Sequence, residues 1–223
     1  MTVVTSKFSK LRTFARRWGW PGTVYHLLMR GAGKYLGIHV VVVRTRFTTI
    51  EISNPCDLPE IEYRQLDSDA MERAIDDPNL DLDRKFVQAA AERGDLGFGA
   101  FDESQLVSYV WRSTTSAPHT DDLWVRVDQP YCYSYKSFTR TDYRGNHIAP
   151  ALILYSDQEM LKLGHTHRVG FIAATNFASL ALGVRMGSQV IGHAGYLHWF
   201  GRYFFFRSRQ VIDIGFEFFE PTR

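Results

Sequence analysis

Cysteine is scarce in this chain of 223 residues, which contains only Cys56 and Cys132. The two lie far apart and show none of the short spacings that bring metal ligands together. A disulfide framework and a metal site are therefore not expected. A reducing cytoplasm is the location that this cysteine usage favours.

Long apolar runs are also missing. The longest, from Ile38 to Val43, is far too short to cross a bilayer. The segment from Met1 to Lys10 is too polar for the apolar part of a secretory signal. With 45% hydrophobic and 22% charged residues, the composition predicts a soluble globular protein of one average-sized domain plus an appendage.

Acidic side chains are absent from residues 1–50, and all 24 of them lie later in the chain. The same 50 residues contain nine basic side chains: Lys7, Lys10, Arg12, Arg16, Arg17, Arg30, Lys34, Arg44 and Arg46. A basic arm on an acidic body predicts either that the arm packs onto the body or that it attracts an anionic partner. An anionic membrane surface or an acidic protein would suit, and the first would make the protein membrane-peripheral. Without a recognised nucleic-acid motif, nucleic acid is not an expected partner.

The pattern of apolar residues divides the chain near Asn54-Pro55. Residues 1–58 form a basic, partly helical extension, with helices predicted at Ser6–Trp18 and Thr23–Tyr35 and a strand at Ile38–Val43. Residues 59–223 form the main domain. Its predicted elements are Ile61–Leu66 (strand), Asp67–Arg93 (helical), Leu96–Arg112 (hairpin), Tyr131–Thr141 (strand), Ile148–Leu163 (helix), Arg168–Ala174 (strand), Asn176–Met186 (helix), and strands at Gln189–Trp199, Tyr203–Arg207 and Val211–Phe219. The segment Ser113–Pro130 is predicted to be mostly loop.

One turn between a predicted strand and a predicted helix can carry chemistry. It runs from Asp142 to Pro150, and Pro150 suits the first turn of a helix because its missing N–H costs little there. The N–H groups that precede it would point outward at the positive end of the helix dipole, beside the cation of Arg144. The turn is therefore either a phosphate-binding site or a simple connector.

The same turn resembles the pyrophosphate loop of the GNAT superfamily of N-acetyltransferases. In that pattern Arg144 fills the first position, Gly145 follows it and Ala149 fills the last, whereas His147 stands where the family prefers glycine. Downstream, Asn176-Phe177-Ala178-Ser179 and Met186-Gly187 are similar to the beginning and end of the family's next helix. Two further departures are Gly183, where many members carry a tyrosine that protonates the leaving thiolate, and Ser188, where phenylalanine is common.

The resemblance implies an α/β fold with a mixed, mostly antiparallel central sheet flanked by helices, preceded here by the basic extension. It implies acetyl-CoA or a longer acyl-CoA as co-substrate, and direct attack by the amine of a small molecule such as an amino sugar or amino acid. The implied coenzyme contacts are Phe138, Thr139, Thr141, Arg144, Gly145, Asn146, His147, Ile148, Ala149, Asn176 and Ser179, with an N–H near Ser137 or Phe138 polarising the thioester carbonyl. Late strands of the family often pair subunits, so a homodimer is a further expectation.

Candidates for acid–base catalysis come from position. Tyr133 stands where some members carry a glutamate, Glu103 lies in the predicted hairpin turn, and His193 lies on a late strand that often borders the acceptor pocket. His119, Asp121 and Asp122, in the polar loop, are additional base candidates. Two alternatives remain open: a transferase that takes its acyl group from an acyl carrier protein at a membrane surface, and a catalytically inactive GNAT-fold binding protein, which His147 and Gly183 favour.

Overall fold

The structure is a computed structural model that describes residues 2–47 and 60–221, with the side chains of residues 12–46 and 60–221. Its elements, in chain order, are α1 (Thr2–Leu36), β1 (Ile38–Phe47), β2 (Ile61–Gln65), α2 (Ser68–Ile75), α3 (Arg84–Glu92), β3 (Leu96–Asp102), β4 (Gln105–Ser113), β5 (Ser116–Pro118), β6 (Trp124–Arg126), β7 (Tyr131–Thr139), a 3-10 turn (Thr141–Tyr143), α4 (Ile148–Lys162), β8 (His167–Ala173), α5 (Phe177–Arg185), β9 (Gln189–Trp199), β10 (Arg202–Arg207), α6 (Arg209–Asp213) and β11 (Glu217–Phe219). No helix within the described ranges is long and apolar enough to span a membrane.

An eight-stranded sheet forms the centre of the molecule, in the order β10-β9-β1-β8-β7-β4-β3-β2. Every described neighbour pair in it is antiparallel except β7 and β8, which are parallel. This confirms the predicted mixed, mostly antiparallel sheet flanked by helices.

The position of strand β1 differs from the sequence prediction, which assigned this strand to the N-terminal extension. Rather than lying outside the main domain, β1 pairs with β8 from Val41 to Phe47 and with β9 from Ile38 to Thr45, so it is an interior strand of the sheet. Its β-branched run predicted a strand but carried no information about its partners, because pairing depends on residues far along the chain. The boundary near residue 58 lies outside the described residues and stays a prediction.

The two faces of the sheet have different coverings. On one face, here called the aromatic face, Tyr133, Phe171 and Tyr196 pack with the small three-stranded sheet β11-β6-β5. On the other, the α4 face, Cys132 packs with Ile148 and other side chains of α4. Tyr133 and Cys132 therefore point to opposite faces, as the alternation along a strand requires.

Two sequence predictions of secondary structure are wrong in detail. The segment Ser113–Pro130, predicted to be loop, contains β5 and β6, and Val211–Phe219, predicted to be one strand, is split between α6 and β11. Strands of three residues are too short to show an alternating pattern, and their stability comes from packing Leu123 and Val125 against the main sheet.

The kink in α1 separates two helical segments. Gly19 has φ 75° and ψ 169°, and Pro21 follows it, so the helix is interrupted where the sequence predicted a break. The second segment packs on the protein through Thr23, which is 1% exposed, and through His26, whose ring nitrogen lies 3.1 Å from the carbonyl oxygen of Thr175.

Candidate active site

A gap opens between the parallel strands β7 and β8. Their pairing covers only three positions, ending at Tyr133 and Val169, although both strands continue for several residues. Beyond that point β8 remains paired with β1 on its other side. The facing backbone groups of β7 and β8 past Tyr133 are therefore available to a ligand that lies between the strands.

A bulge in β7 sets which amides face the gap. Between Val110–Ser137 and Arg112–Ser134, two steps along β4 match three along β7, so β7 carries one extra residue there. After the bulge, the N–H of Arg140 donates to Val107 in the hairpin of β3 and β4 at 2.9 Å. Because backbone groups alternate along a strand, Ser137 and Thr139 point away from β4 and into the gap. Of the two amides named from the resemblance, the one at Ser137 has this orientation, and Phe138 does not.

The turn after β7 has the backbone shape of an anion site. Gly145 has φ 96° and His147 has φ 57°, and α4 begins at the next residue. The first N–H groups of a helix have no intrahelical partner, so those of Ile148 and Ala149 are available at the positive end of α4. His147 thus adopts the left-handed conformation that a glycine would take more easily, at a cost of about 1 kcal/mol.

Arg144 lies across the end of β7. Its Nε donates to the carbonyl oxygen of Thr139 at 3.1 Å, and its guanidinium lies 5.8 Å from the ring centre of Phe138. The side chain is exposed and borders a cavity of about 300 Å³ whose wall also includes Ser137 and Ala149. Open amides, a cation and a helix N-terminus therefore surround one cavity on the α4 side of the sheet.

Three other predicted coenzyme contacts, Thr139, Thr141 and Asn176, lie in different local environments. Thr141 opens the 3-10 turn and is exposed, and the hydroxyl of Thr139 lies 2.8 Å from that of Ser108. Asn176 caps α5, since its Oδ1 accepts from the N–H of Ser179 at 3.2 Å. A contact of Asn176 with a coenzyme stays a prediction.

Tyr133 is the predicted catalytic residue that lies at the gap. It belongs to the last pair of β7 and β8, is 3% exposed, and stacks on Tyr135 at 5.8 Å and on Phe171 at 6.0 Å between ring centres. Burial raises the pKa of its phenol well above the ordinary value. The hydroxyl therefore stays protonated near neutral pH, which suits a proton donor and not a base.

The other two catalytic candidates lie elsewhere. Glu103 is in the β3–β4 turn, next to Asp102, which accepts a hydrogen bond of 2.6 Å from Tyr143 in the turn after β7. This location is at the end of the sheet beside the turn that follows β7. His193 pairs with Val42 and is exposed, and its neighbour Ala194 belongs to the cluster on the aromatic face, so His193 points to the opposite face. Neither position suits a base at the gap.

His119 is the histidine that the tertiary structure brings to the gap. It follows β5, and its ring meets that of Phe171 edge to face at 5.0 Å. Burial lowers the pKa of His119, and the nearby charge of His39 lowers it further, so the imidazole is neutral near pH 7. The sequence offered His119 as a base candidate together with Asp121 and Asp122, and it could not predict the contact with β8, because that contact depends on the packing of the small sheet.

Two cavities meet at His119 and Phe171 on the aromatic face. One, of about 520 Å³, is also bordered by Tyr133, Asp121 and Lys136. The other, of about 460 Å³, lies beneath the second segment of α1, with walls that are mostly apolar. The lining residues from α1 are Met29, Arg30, Gly33 and Lys34. The space reached through the gap is therefore both polar, near Asp121, and apolar, beneath α1.

The space beside Gly183, where the resemblance led us to expect a tyrosine, is occupied by the side chain of Arg44 from β1. A Cβ at Gly183 would lie 3.1 Å from Nε of Arg44, and that Nε donates to the hydroxyl of Ser188 at 2.8 Å. The hydroxyl of Ser188 in turn donates to the carbonyl oxygen of Gly183 at 2.7 Å. The glycine at 183 and the serine at 188 are thus explained by a buried arginine from the N-terminal strand.

A parallel pair that separates, a bulge beside it and a turn shaped like an anion site are the features of this fold that the comparison with known proteins has to match. No protein-family model matches the chain, and no curated protein matches it. Solved structures are similar to it. A GCN5-related N-acetyltransferase from Sphaerobacter thermophilus is 14% identical, with 77% of this chain and 51% of that one covered and a TM-score of 0.51.

Two other solved structures are also similar to this chain. A GCN5-related N-acetyltransferase-like protein from Streptococcus suis is 18% identical, with 79% of this chain and 66% of that one covered and a TM-score of 0.46. A tandem GNAT protein from the clavulanic acid biosynthesis pathway is 12% identical, with coverages of 72% and 55% and a TM-score of 0.46. This chain spans about half the length of the Sphaerobacter and tandem proteins. The chain has the fold of the GNAT superfamily.

Proposed function

We propose that the protein is an N-acyltransferase that moves an acetyl or longer acyl group from acyl-CoA to the amine of a small molecule. The observation that carries this proposal is the gap past Tyr133, where unpaired amides of β7 lead to the positive end of α4. The amide groups of a pantetheine arm can pair with the open backbone groups of β7, and the negative charge of a pyrophosphate suits the positive end of α4. Extended chains bind well along such open strand edges.

The coenzyme would run from the α4 face to the aromatic face. Its pyrophosphate would meet the N–H groups of Ile148 and Ala149, with Arg144 turning from the carbonyl of Thr139 toward a phosphate oxygen. Its thioester carbonyl would accept from the N–H of Ser137, which stabilises the oxyanion of the tetrahedral adduct. Its acyl group would then emerge beside Phe171.

The reaction is a direct transfer. The amine nitrogen attacks the thioester carbon, a C–N bond forms, and the C–S bond breaks. His119, kept neutral by its lowered pKa, accepts the proton that leaves the nitrogen, while Tyr133 donates its phenolic proton to the departing thiolate. The two residues have environments that separate their pKa values, as the division of acid and base roles requires.

The acceptor is proposed to lie in the cavity of about 520 Å³. Asp121 would attract an ammonium group there, and Tyr135 and Phe86 would pack against apolar parts of the acceptor. The cavity beneath α1 joins the same point at His119 and Phe171, so acyl chains longer than acetyl have space available.

A thiol-release assay tests this function. Purified protein is mixed with acyl-CoA donors of increasing chain length and with a panel of amino sugars and amino acids, and free CoA is followed with a thiol reagent. Amine-dependent CoA release that is lost in Tyr133→Phe is expected. Calorimetry with CoA is the companion measurement: tight binding without any turnover would support the inactive binding protein, and no binding of any acyl-CoA would contradict the proposal.

The inactive alternative rested on His147 and Gly183. The turn keeps its left-handed shape despite His147, and Arg44 fills the space at Gly183. These observations weaken that alternative. A donor carried by an acyl carrier protein stays a prediction, and adding acyl carrier protein loaded with the same acyl groups to the thiol assay tests it.

A further inference from the structure

The second segment of α1 exposes an apolar stripe instead of a polar one. Trp20, Val24, Leu28 and Tyr35 follow each other at helical spacing and are between 51% and 76% exposed. The inward face of the same segment, with Thr23 and His26, already contacts the protein. A surface helix that packs on the protein normally presents polar residues outward, so this stripe is available for another apolar environment.

The stripe continues onto the tip of the β9–β10 hairpin. The N–H of His198 donates to the carbonyl oxygen of Gly37 at 2.9 Å, which places the end of α1 against the end of β9. Beside that contact, Leu36 is 57% exposed, Trp199 58% and Phe200 87%. One surface therefore joins a helix and a protruding turn, both rich in aromatic and aliphatic side chains. We call it the apolar rim.

Phe200 occupies a conformation that folding alone disfavours. It has φ 47° and Gly201 has φ 72°, a two-residue turn that normally takes Asn-Gly because both positions need positive φ. A bulky aromatic residue in the left-handed region is an outlier, and this one is 87% exposed, so burial does not compensate for it. Its ring lies 4.8 Å from that of Trp199 between centres, but Trp199 is itself 58% exposed, so this contact leaves most of both rings in solvent.

Charge selects the kind of partner. Residues 1–50 contain no acidic side chain, and neither does the segment 189–212, which carries the hairpin. Arg30, Lys34 and Arg202 are exposed beside the apolar residues. Exposed Trp, Phe and Leu beside such cations is the composition of helices that lie in the interface of an anionic bilayer. Carboxylates are present at one point only of the described surface around the hairpin tip, where Asp122 and Glu220 border a small cavity with Gly201. An acyl carrier protein would match the cations, but it would leave a protruding, exposed Phe200 without a role.

We propose that the apolar rim docks on anionic lipid bilayers, with the aromatic side chains entering the interfacial region and the cations contacting lipid phosphates. The inner side of α1 borders the cavity of about 460 Å³, so docking would set the opening of that cavity next to the lipid surface. The proposal does not depend on the reaction that the protein performs.

Vesicle flotation tests the docking. The full chain is mixed with phosphatidylcholine vesicles, or with vesicles that also contain phosphatidylglycerol, at low and high salt. We expect flotation with the anionic vesicles and its loss at high salt. Equal flotation with neutral vesicles, or none with either, overturns the proposal.

Two variants and a matched control locate the surface. Leu28→Asp and Phe200→Asn should reduce binding to anionic vesicles at least several-fold, whereas Leu163→Asp should not, although Leu163 is similarly exposed at 59%. Phe200→Asn should also keep or raise the melting temperature, because asparagine tolerates positive φ. If Phe200→Asn binds vesicles as the parent does, or if Leu163→Asp weakens binding equally, the apolar rim is not the docking surface.

Light scattering on the same proteins tests the main alternative, in which the apolar rim is an interface between two copies of the chain. Should the parent protein be a dimer that Leu28→Asp or Phe200→Asn converts to a monomer, the apolar rim is an interface between two copies and the proposal is overturned. A monomer in every case, with vesicle binding as described, supports it.

Discussion

Arg144 offers the sharpest test of the proposed coenzyme site. In the structure it is exposed, and its Nε makes one hydrogen bond, of 3.1 Å, to the carbonyl oxygen of Thr139. A charge-assisted hydrogen bond to phosphate contributes about 1.5–3 kcal/mol, and solvent exposure favours the lower end. Turning toward the phosphate gives up the bond to Thr139, worth about 0.5–1 kcal/mol. The net gain is therefore about 1 kcal/mol, which corresponds to about fivefold in affinity.

Arg144→Ala should thus weaken CoA binding about fivefold, and Arg144→Glu, which adds repulsion, by about thirtyfold or about 2 kcal/mol. Isothermal titration calorimetry with CoA measures both. Pantetheine, which lacks the pyrophosphate, should bind all three proteins alike. Because the side chain is exposed, the free energy of unfolding should change by less than about 0.5 kcal/mol in the alanine variant.

Arg73→Ala is the matched control, since Arg73 is an exposed arginine on α2 and does not border the cavity of about 300 Å³. Arg73→Ala should bind CoA with the parent's affinity at every salt concentration. The affinity of the parent should fall with salt more steeply than that of Arg144→Ala. The placement of the pyrophosphate would be refuted by an unchanged CoA affinity in Arg144→Glu, or by an equal loss of pantetheine affinity.

Three further predictions concern catalysis and stability. Tyr133→Phe should lower kcat about 100-fold and leave CoA affinity unchanged, since only the proton for the thiolate is lost; a kcat near the parent's would remove Tyr133 from the mechanism. Burial holds the pKa of His119 below 6.5 in the folded protein. Enzyme activity, and the contribution of the neutral imidazole to the free energy of unfolding, should therefore be present above pH 6.5 and be lost as the pH falls through the lowered pKa. In profiles of kcat/KM against pH, His119→Gln should abolish this acid limb. Asp157→Asn should destabilise the protein by about 3–5 kcal/mol in urea unfolding, because Arg112, which is 0% exposed, then loses its carboxylate partner at 3.0 Å; a loss below about 1 kcal/mol would contradict this.

The turn from Asp142 to Pro150 was predictable from the sequence because its signals are local. Pro150 in a first helical turn, Gly145 and Arg144 lie within a few residues of each other, and the backbone they form depends mainly on themselves. The alternation of side chains along β7 is likewise a local property, and it places Tyr133 and Cys132 on opposite sides of the sheet. Periodicity and turn chemistry act over short distances, so one sequence is enough to read them.

What the sequence by itself determined is therefore the strand–turn–helix that begins at β7 and the basic, acid-free character of the first 50 residues. Only the tertiary structure decided that β1 enters the sheet between β8 and β9, that Arg44 fills the space beside Gly183, and that His119 meets Phe171 while His193 faces away. The physical reason is the same in each case. Strand partners, filled spaces and side-chain meetings are set by packing between residues more than a hundred positions apart or on separate sheets, and no local pattern encodes such contacts.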